Sequence, residues 1–487
     1  MKNIFKIGAF SCLLLLVSCS EEHFDVEPNY LDNPNSVTQS EASFRSLTDG
    51  AYDAMKNIFD GDNGNALILA DVLADNLILN PQGRLTNTDQ YQWSYNGTTG
   101  GATALFSDSY FAISRANFVL DNLNKIPYTA FMKNIEAEAK AIRGAMHFEV
   151  LRAYSKIPTQ DGSASNSMGI PYVTVFDPFQ KPTRDATVTD SYNKVISDLL
   201  FAYNNINTTN GSIGRFNKTS VAALLNRVYL YMGDYANAIT YGEFVITNSS
   251  SVGARTNFAG IWTDASTDGV LLSLLNGNVN TDNTTVGVCY NQNASGIRSE
   301  YNVNYDLFLK YSPTGIADIR RTGYLLTANY AGTPYNHVIK YRTRTGSITA
   351  QVVNVKFIRT AEVYLNTAEA YMKSSTPNST RALQLLNTLR EQRYLPYTAG
   401  TETGTALLDA VYSERRLELA FENDRFWTLK RLGLPVNRSS FGPNVDGTGT
   451  GPGASIVTLQ SSDYRWQLPI PQSEINLNPN MKQNPGY

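Results

Sequence analysis

Ala222-Ala223-Leu224-Leu225-Asn226-Arg227-Val228-Tyr229-Leu230-Tyr231-Met232-Gly233-Asp234-Tyr235-Ala236-Asn237-Ala238 is the stretch from which the fold can be read. Apolar residues recur at three and four spacing up to Met232, the helical period. Gly233-Asp234-Tyr235 breaks that helix, and Ala238 gives the next one, running to Ile246, a small residue that permits close packing. This is the scheme of a tetratricopeptide helix pair. Such a pair cannot bury its apolar face alone and has to stack on others.

Working outward, Tyr364 to Leu389 repeats the scheme more loosely. Ala368, Ala370 and Tyr371 precede a Pro377-Asn378-Ser379 break, and Ala382, Leu385 and Leu386 follow it. Helical periodicity also marks the stretch after Thr38-Gln39-Ser40-Glu41, which has a capping-box pattern, and Tyr110 to Leu123, Ile135 to Tyr154, Thr189 to Ile206 and Ala406 to Phe421. Between about Asn248 and Val355 the period disappears into Gly, Asn, Thr and Ser with scattered aromatics. The expected fold is mostly α: a helical scaffold with tetratricopeptide-like helix pairs and long loop-rich insertions containing a few short strands. Its expected parts are an N-terminal helical part (about 37–250), a loop-rich insertion (about 251–355) and a C-terminal helical part (about 356–487).

The 40 Lys and Arg against 43 Asp and Glu leave a net charge of −3, with no basic surplus to neutralise a nucleic-acid backbone. Charged residues make up only 17%, against roughly 25% in a typical soluble domain, so this surface works through hydroxyls, amides and rings. Cysteine occurs only at Cys12, Cys19 and Cys289, and histidine at His23, His147 and His337. That supply and spacing exclude a zinc site built from four cysteines or paired cysteines and histidines. Cys289 reads as a small buried hydrophobe, and His147, between Met146 and Phe148, as a helix-packing residue.

Lys2 and Lys6 precede an apolar run from Ile7 to Val17, too short to span a bilayer. Residues 1–18 read as a signal peptide. Its end, Leu16-Val17-Ser18-Cys19, has the form of a bacterial lipobox, in which Cys19 becomes the lipid anchor. Ser20-Glu21-Glu22 resembles the acidic export signal of Bacteroidetes surface lipoproteins, and residues 19–36 read as a polar tether to the body.

Signals of catalysis are missing: there is no G-x-S-x-G, H-E-x-x-H or phosphate loop. Asp60-Gly61-Asp62-Asn63-Gly64 with Asp71 is similar to a calcium loop, but Gly64 and Asn65 occupy its ligand and glycine positions in the wrong order, and the stretch reads as a turn. Glu414 and Glu418 stand four apart on one helical face among Leu417, Leu419 and Phe421. Arg415, Arg416, Glu422 and Arg425 continue the pattern, and ion pairing and hydrogen bonding among helices is the natural use. A glycosidase acid and base is the alternative.

In order along the chain, these landmarks resemble the SusD/RagB family of surface lipoproteins. The resemblance runs from the lipobox through Tyr110 to Asn117, Ala137 to Ala145 and Arg152-Ala153-Tyr154. It is most specific in Ile358-Arg359, Glu362, Ala368-Glu369-Ala370, Glu414 to Glu422, Asp424-Arg425 and Leu429 to Gly433, and it closes on Gln483-Asn484-Pro485-Gly486-Tyr487. It implies a non-catalytic protein of the outer-membrane cell surface, without cofactor or metal. Such a protein captures an oligosaccharide and delivers it to a SusC-like TonB-dependent transporter. A peptide cargo, as in the RagB branch, is an alternative, as are a surface glycosidase and a partner-binding scaffold.

A sugar offers an apolar C–H face fringed by hydroxyls, so its binder needs aromatic platforms with amide or charged neighbours. Tyr91-Gln92-Trp93-Ser94-Tyr95-Asn96 alternates rings and polar groups in a Gly- and Asn-rich loop, making Trp93, Tyr95 and Asn96 candidates. A second cluster supplies Tyr290, Asn291, Arg298 and Tyr301, with Asn302 beside them.

Overall fold

The computed structural model of the protein describes residues 37–60, 64–249, 251–277, 289–290, 297–341, 344 and 352–487. The signal peptide, Cys19, the tether and Asn291 lie outside the described residues. The long helices are α1 (Glu41–Asp60), α2 (Ala66–Val72), α3 (Gly100–Asp121), α4 (Ala130–Tyr154), α5 (Val188–Asn205), α6 (Lys218–Met232), α7 (Tyr235–Asn248), α8 (Thr360–Lys373), α9 (Ser379–Glu391), α10 (Gly404–Glu418) and α11 (Arg425–Arg431). The strands that position the site are β1 (Leu77–Leu79), β2 (Val270–Leu274), β3 (Tyr301–Val303), β4 (Leu325–Tyr330), β5 (Thr333–Val338) and β6 (Val355–Arg359).

The helix pair expected from Ala222 to Ile246 forms as α6 and α7. Asn217 and Ser220 close a capping box at the start of α6, Gly233 ends it in the left-handed region at φ 84°, and the Asp234 carboxylate caps α7 through Asn237 N at 3.1 Å. Neighbouring helices stack in sequence, α3 on α4, α4 on α5, α5 on α6 and α6 on α7. The stack does not stop where the periodicity does: α7 packs directly on α8, and α8 on α9 and α10. The apolar run of helices is thus continuous through space, and the strands β2 and β6 between α7 and α8 pack against α1 and α6. Gly242 explains the tight α7–α8 approach, because a Cβ there would sit 2.0 Å from Thr367 Oγ1. Across the same seam, Asn226 Nδ2 donates to Ala238 O at 2.8 Å and Asn366 Nδ2 to Asn226 Oδ1 at 2.9 Å, while Arg227 grips Glu362 with two bonds of 2.6 and 2.7 Å. The mostly α architecture with tetratricopeptide-like pairs and short strands is therefore what forms.

Two local expectations need correcting. The cap of α1 is Ser40, whose Oγ accepts from Ser43 N at 3.1 Å, and Thr38 lies buried outside the helix. Helix α3 starts ten residues earlier than Tyr110, at Gly100. Two adjacent glycines open the helix, and at Gly101 the Gln90 side chain packs closely, with its amide nitrogen 2.5 Å from where a Cβ would sit.

The strands form a four-stranded antiparallel sheet in the order β1-β3-β5-β4, with Leu79 opposite Tyr301, Asn302 opposite His337 and Leu325 opposite Val338. Strands β2 and β6 pair separately, Val270 opposite Arg359, and β6 runs straight into α8. That junction carries the charged motif of the sequence. Glu418, fully buried, accepts from Arg359 Nη1 at 2.8 Å, from Arg393 Nε at 2.8 Å and Nη2 at 3.0 Å, and from Arg320 Nη1 at 3.3 Å. Glu414 pairs with Arg320 at 2.6 Å and Arg390 at 3.0 Å. Burial alone would raise the Glu418 carboxyl, but Arg393, Arg359 and Arg320 hold it well below the usual carboxylate range. A glycosidase acid has to carry a proton and touch a sugar; Glu418 can do neither.

His147 is fully buried in α4. Its Nδ1 faces Arg143 O at 3.0 Å, its Nε2 accepts from Val173 N at 3.0 Å, and Tyr172 stacks on it at 3.9 Å. That pattern requires the neutral ring, and burial followed by the Arg143 charge pushes its pKa down to about 3. A base whose folded pKa is depressed takes up protons on unfolding, so its contribution is lost as pH falls from 6.5 toward 3. His147→Gln keeps a donor and an acceptor but cannot titrate. Between pH 7 and pH 4 the parent is expected to lose on the order of 2–3 kcal/mol more stability than this variant, read from urea midpoints.

Candidate ligand-binding site

The two sequence clusters meet at the β1 and β3 end of the sheet, but their rings face inward. Trp93 is 1% exposed and Tyr91 0%. Between them lies the guanidinium of Arg438, 4.0 Å from the Tyr91 ring centroid and 3.9 Å from that of Trp93. Arg438 also donates to Ala74 O at 3.0 Å and Val72 O at 3.1 Å, the C-terminal carbonyls of the α2 segment, and Trp93 Nε1 donates to Leu73 O at 2.9 Å. Tyr95 packs against Tyr487 at 6.4 Å, and Tyr301 on Tyr91 at 5.6 Å. Tyr290, 2% exposed, meets Phe421 edge-on at 5.8 Å. The expectation that Trp93, Tyr95, Tyr290 and Tyr301 are open platforms gives way here. Their faces are covered by protein, and a sugar could stack on them only after Arg438, Tyr487 or Phe421 moved.

What these rings support is a polar seam. Strand pairing continues past β1 through Asn80 N to Glu300 O at 2.8 Å, and Gly83 sits so close that a Cβ would meet Glu300 Cα at 2.8 Å. The chain then bends through two non-glycine residues in the left-handed region, Leu85 at φ 62° and Asn87 at φ 54°, with Trp93 a third at φ 53°. Such conformations cost about 1–3 kcal/mol each and gather where a surface has to be held in a set shape. Thr86 is fixed from both sides: its hydroxyl and amide meet the Glu300 carboxylate and its carbonyl accepts from Tyr301 OH at 2.7 Å. Tyr330, at the tip of the β4–β5 hairpin, reaches Gln82 O at 3.4 Å.

Several buried polar atoms of this seam have no hydrogen-bond partner among the described residues: Asn80 Nδ2, Arg298 Nε, Glu300 Oε1 and both amide atoms of Asn302. Each such group costs about 1–3 kcal/mol, so their concentration marks the place where outside hydroxyls, amides or water have most to gain. Burial raises the Glu300 carboxyl above its ordinary value, against the Thr86 bonds and the charges of Arg84 and Arg298. Gln82, Arg84, Leu85 and Thr86 are exposed along the rim and Arg298 is half-buried. Of the expected residues, Arg298 alone among the described ones belongs to this seam as a reachable group. Asn96 is exposed too, but its Oδ1 accepts from Thr98 N at 2.8 Å in a turn beside Gln472, whose amide bonds Gly97 O.

Sequence reading missed Gln82, Arg84, Thr86 and Glu300, though Pro81-Gln82-Gly83 marked a turn. Cys289 is buried, as expected, beneath Asn87 Nδ2 at 3.7 Å, and burial, then Glu300, raises its thiol. Residues 61–63 of the acidic turn lie outside the described residues. Asp71 is fully buried in α2, its carboxylate accepting from Asn76 Nδ2 at 2.8 Å. Among the described residues no group of three or more His, Cys, Asp or Glu could hold a metal, and no helix is long and apolar enough to cross a membrane.

A helical-repeat scaffold carrying a strained, polar loop face on a small sheet is a binding architecture, and comparison with known proteins gives it a family. The model of the SusD family matches residues 227–487, and that described as "Starch-binding associating with outer membrane" matches residues 25–230. The chain belongs to the SusD family. It is 26% identical over 529 aligned residues to SusD-like protein P2 of Formosa agariphila, covering 99% of each chain. Among solved structures, a putative sugar binding protein from Bacteroides vulgatus superposes with a TM-score of 0.78 at 25% identity, over 92% of this chain and 98% of that one. A laminarin binding SusD-like protein shares the fold at a TM-score of 0.71 and 21% identity, over 92% of this chain and all (100%) of the other.

Proposed function

We propose that this protein is a non-catalytic, lipid-anchored binding protein of the outer-membrane surface that captures an oligosaccharide and passes it to a SusC-like TonB-dependent transporter. The observation that carries the reading is the pair of family matches spanning residues 25–487, one of them described as starch-binding and associated with the outer membrane. The laminarin-binding relative supports a glycan as cargo. In this chain the seam is the place for it: Arg84 and Arg298 supply donors to ring hydroxyls, Asn80, Glu300 and Asn302 have unused polar atoms behind them, and Leu85 offers an apolar face. The buried rings serve as the floor that holds these groups in place.

Calorimetric titration against oligosaccharide and peptide panels tests the cargo. At least one glycan is expected to bind, and Arg298→Ala and Arg84→Ala are each expected to weaken it about tenfold, the value of one hydrogen bond to a charged group. Both side chains reach the surface, so melting temperatures should stay within about 2 °C of the parent. Binding of peptides alone would assign the cargo to the RagB type, and unchanged affinity in both variants would remove the seam as the site. Affinity purification from solubilised outer membrane should recover a barrel partner; recovery of the protein alone would argue against delivery to a transporter.

A further inference from the structure

Sharing no residue with the seam, a groove of about 750 Å³ lies between α1 and α3, within the range of about 300–1,000 Å³ that small-molecule sites occupy. Each wall is one helical stripe. Ser43, Ser46, Leu47 and Gly50 come from α1. Phe111, Ser114, Arg115 and Phe118 come from α3 with the same spacing. Phe176, from the loop between α4 and α5, closes the groove. Its place is fixed: Phe176 N donates to the Asp121 carboxylate at 2.7 Å, Asn117 Nδ2 donates to Val175 O at 3.3 Å, and Phe118 meets the Phe176 ring edge-on at 5.1 Å. Yet Phe176 stays 46% exposed, and Phe111 54%. Half-exposed rings gathered in one concavity mark a surface that binds something.

The polar groups decide what. The Arg115 guanidinium lies 4.5 Å from the Phe111 ring centroid and passes beside α1 at Gly50, where a Cβ would come within 3.3 Å of its Nη1. Among the described residues it forms no ion pair and no hydrogen bond. A guanidinium held between a ring and a helix without a counter-ion is a preformed fork for a carboxylate or a sulfate. Ser46 Oγ also has no partner among the described residues, and Ser114 Oγ donates to Phe111 O at 2.8 Å, which leaves its lone pairs to accept. Both long walls are helices, whose backbone N–H and C=O groups are bonded within the helix. An extended peptide laid here would take its own amides out of water and find no backbone to pair with. A bare hydrocarbon would leave the guanidinium desolvated and unpaired. A sugar meets both demands, with an apolar C–H face for the rings and hydroxyls that donate and accept for the serines.

We propose that this groove is a second sugar site and that it takes an acidic pyranose, its apolar face on Phe176 and Phe111, its carboxylate or sulfate on Arg115, and its hydroxyls on Ser46 and Ser114. It is separate from the capture of cargo at the seam, and it adds a preference for charge that the seam does not need to share.

Calorimetric titration of the full mature chain, with Cys19→Ser for solubility, tests this with four probes: trigalacturonate, glucose 6-sulfate, maltotriose, and a tripeptide of one aspartate between two phenylalanines. Trigalacturonate, glucose 6-sulfate or both should bind, and which of them does separates a carboxylate from a sulfate ligand. Arg115→Gln and Phe176→Ser should each weaken the acidic sugars about tenfold, while Arg115→Gln leaves maltotriose unchanged. Both residues reach the surface, so melting temperatures should stay within about 2 °C of the parent. Phe179→Ser, outside the groove, should change nothing. Four results would each overturn the proposal: no binding of either acidic sugar, affinity that survives both groove variants, loss in Arg298→Ala without loss in Arg115→Gln, which puts the acid in the seam, or tighter binding of the tripeptide than of either sugar.

Discussion

Glu418→Ala is expected to destabilise the protein by about 3–5 kcal/mol, enough to leave much of it unfolded at growth temperature. The carboxylate is the shared counter-ion of Arg320, Arg359 and Arg393, all at most 2% exposed. Removing it strands guanidinium groups that water cannot reach. Only part of the charge is met elsewhere: Arg320 keeps Asp318 and Glu414, and Arg359 keeps Glu422, but Arg393 is left, among the described residues, with the carbonyls of Gly253, Val252 and Gln392 and no carboxylate bonded to it. Those bonds tie helix α10 to β6 and to the segment after α7, so the loss should propagate into the helical stack and the sheet together. Glu418→Gln keeps the volume and one acceptor and is expected to fall between parent and alanine variant. Because the folded carboxyl is held below its ordinary value of 4.5, its contribution is present above that pH and is lost as the solution is acidified. Urea titrations at pH 7 should resolve the order parent, Gln, Ala; an alanine variant within 1 kcal/mol of the parent would show that the cluster is dispensable.

Half of this network was legible in the sequence and half was not, for a physical reason. Glu414 and Glu418 stand on a helix, where four-residue spacing reports a shared face, so pairing followed from the pattern. Their partners could not be read from that pattern. Arg415 pairs with Asp424, and Arg416 and Arg425 with Asp75, whereas the ions on Glu418 come from Arg320, Arg359 and Arg393. A long-range pair leaves no periodic trace. The same limit explains the site. Ring and amide alternation in Tyr91 to Asn96 looked like a solvent-facing platform, yet Arg438, more than 340 residues away, threads between Tyr91 and Trp93 and turns them inward. The helical frame is carried by local period, small residues and caps, which is why Gly233 and Ala238 sufficed to place α6 and α7. The binding face is carried by backbone turns at Leu85 and Asn87 and by unpaired atoms on β3, features that appear only once the strands are paired.

Lys430→Met should cost about 2–4 kcal/mol, and its signature should be a dependence on pH opposite to that of a lost salt bridge. Lys430 is 1% exposed, and among the described residues no carboxylate pairs with it; its Nζ donates to Arg152 O at 2.7 Å, Ser155 O at 2.7 Å and Ala153 O at 3.5 Å. These are carbonyls at the C-terminal end of α4, where helical bonding runs out and the macrodipole is negative. Asn484 closes the neighbouring Tyr154 O at 2.8 Å, so residues far along the chain cap this helix together. Methionine fills the volume but donates nothing, leaving two buried carbonyls without their closest partner at about 1–3 kcal/mol each. Part of that loss is offset, because burial and then the Arg152 charge hold the ammonium well below its usual range. A lysine whose folded pKa is depressed binds fewer protons folded than unfolded, so the parent gains stability from it as pH rises toward 10.5. The methionine variant lacks that gain. The stability difference between the two should therefore widen from pH 7 to pH 9.5, read from urea midpoints at both. A gap that stays constant would mean that the folded amine keeps its proton as an unfolded lysine does, and one that narrows would mean that the carbonyl cage holds the proton more tightly than water does; either would show that burial does not set its protonation.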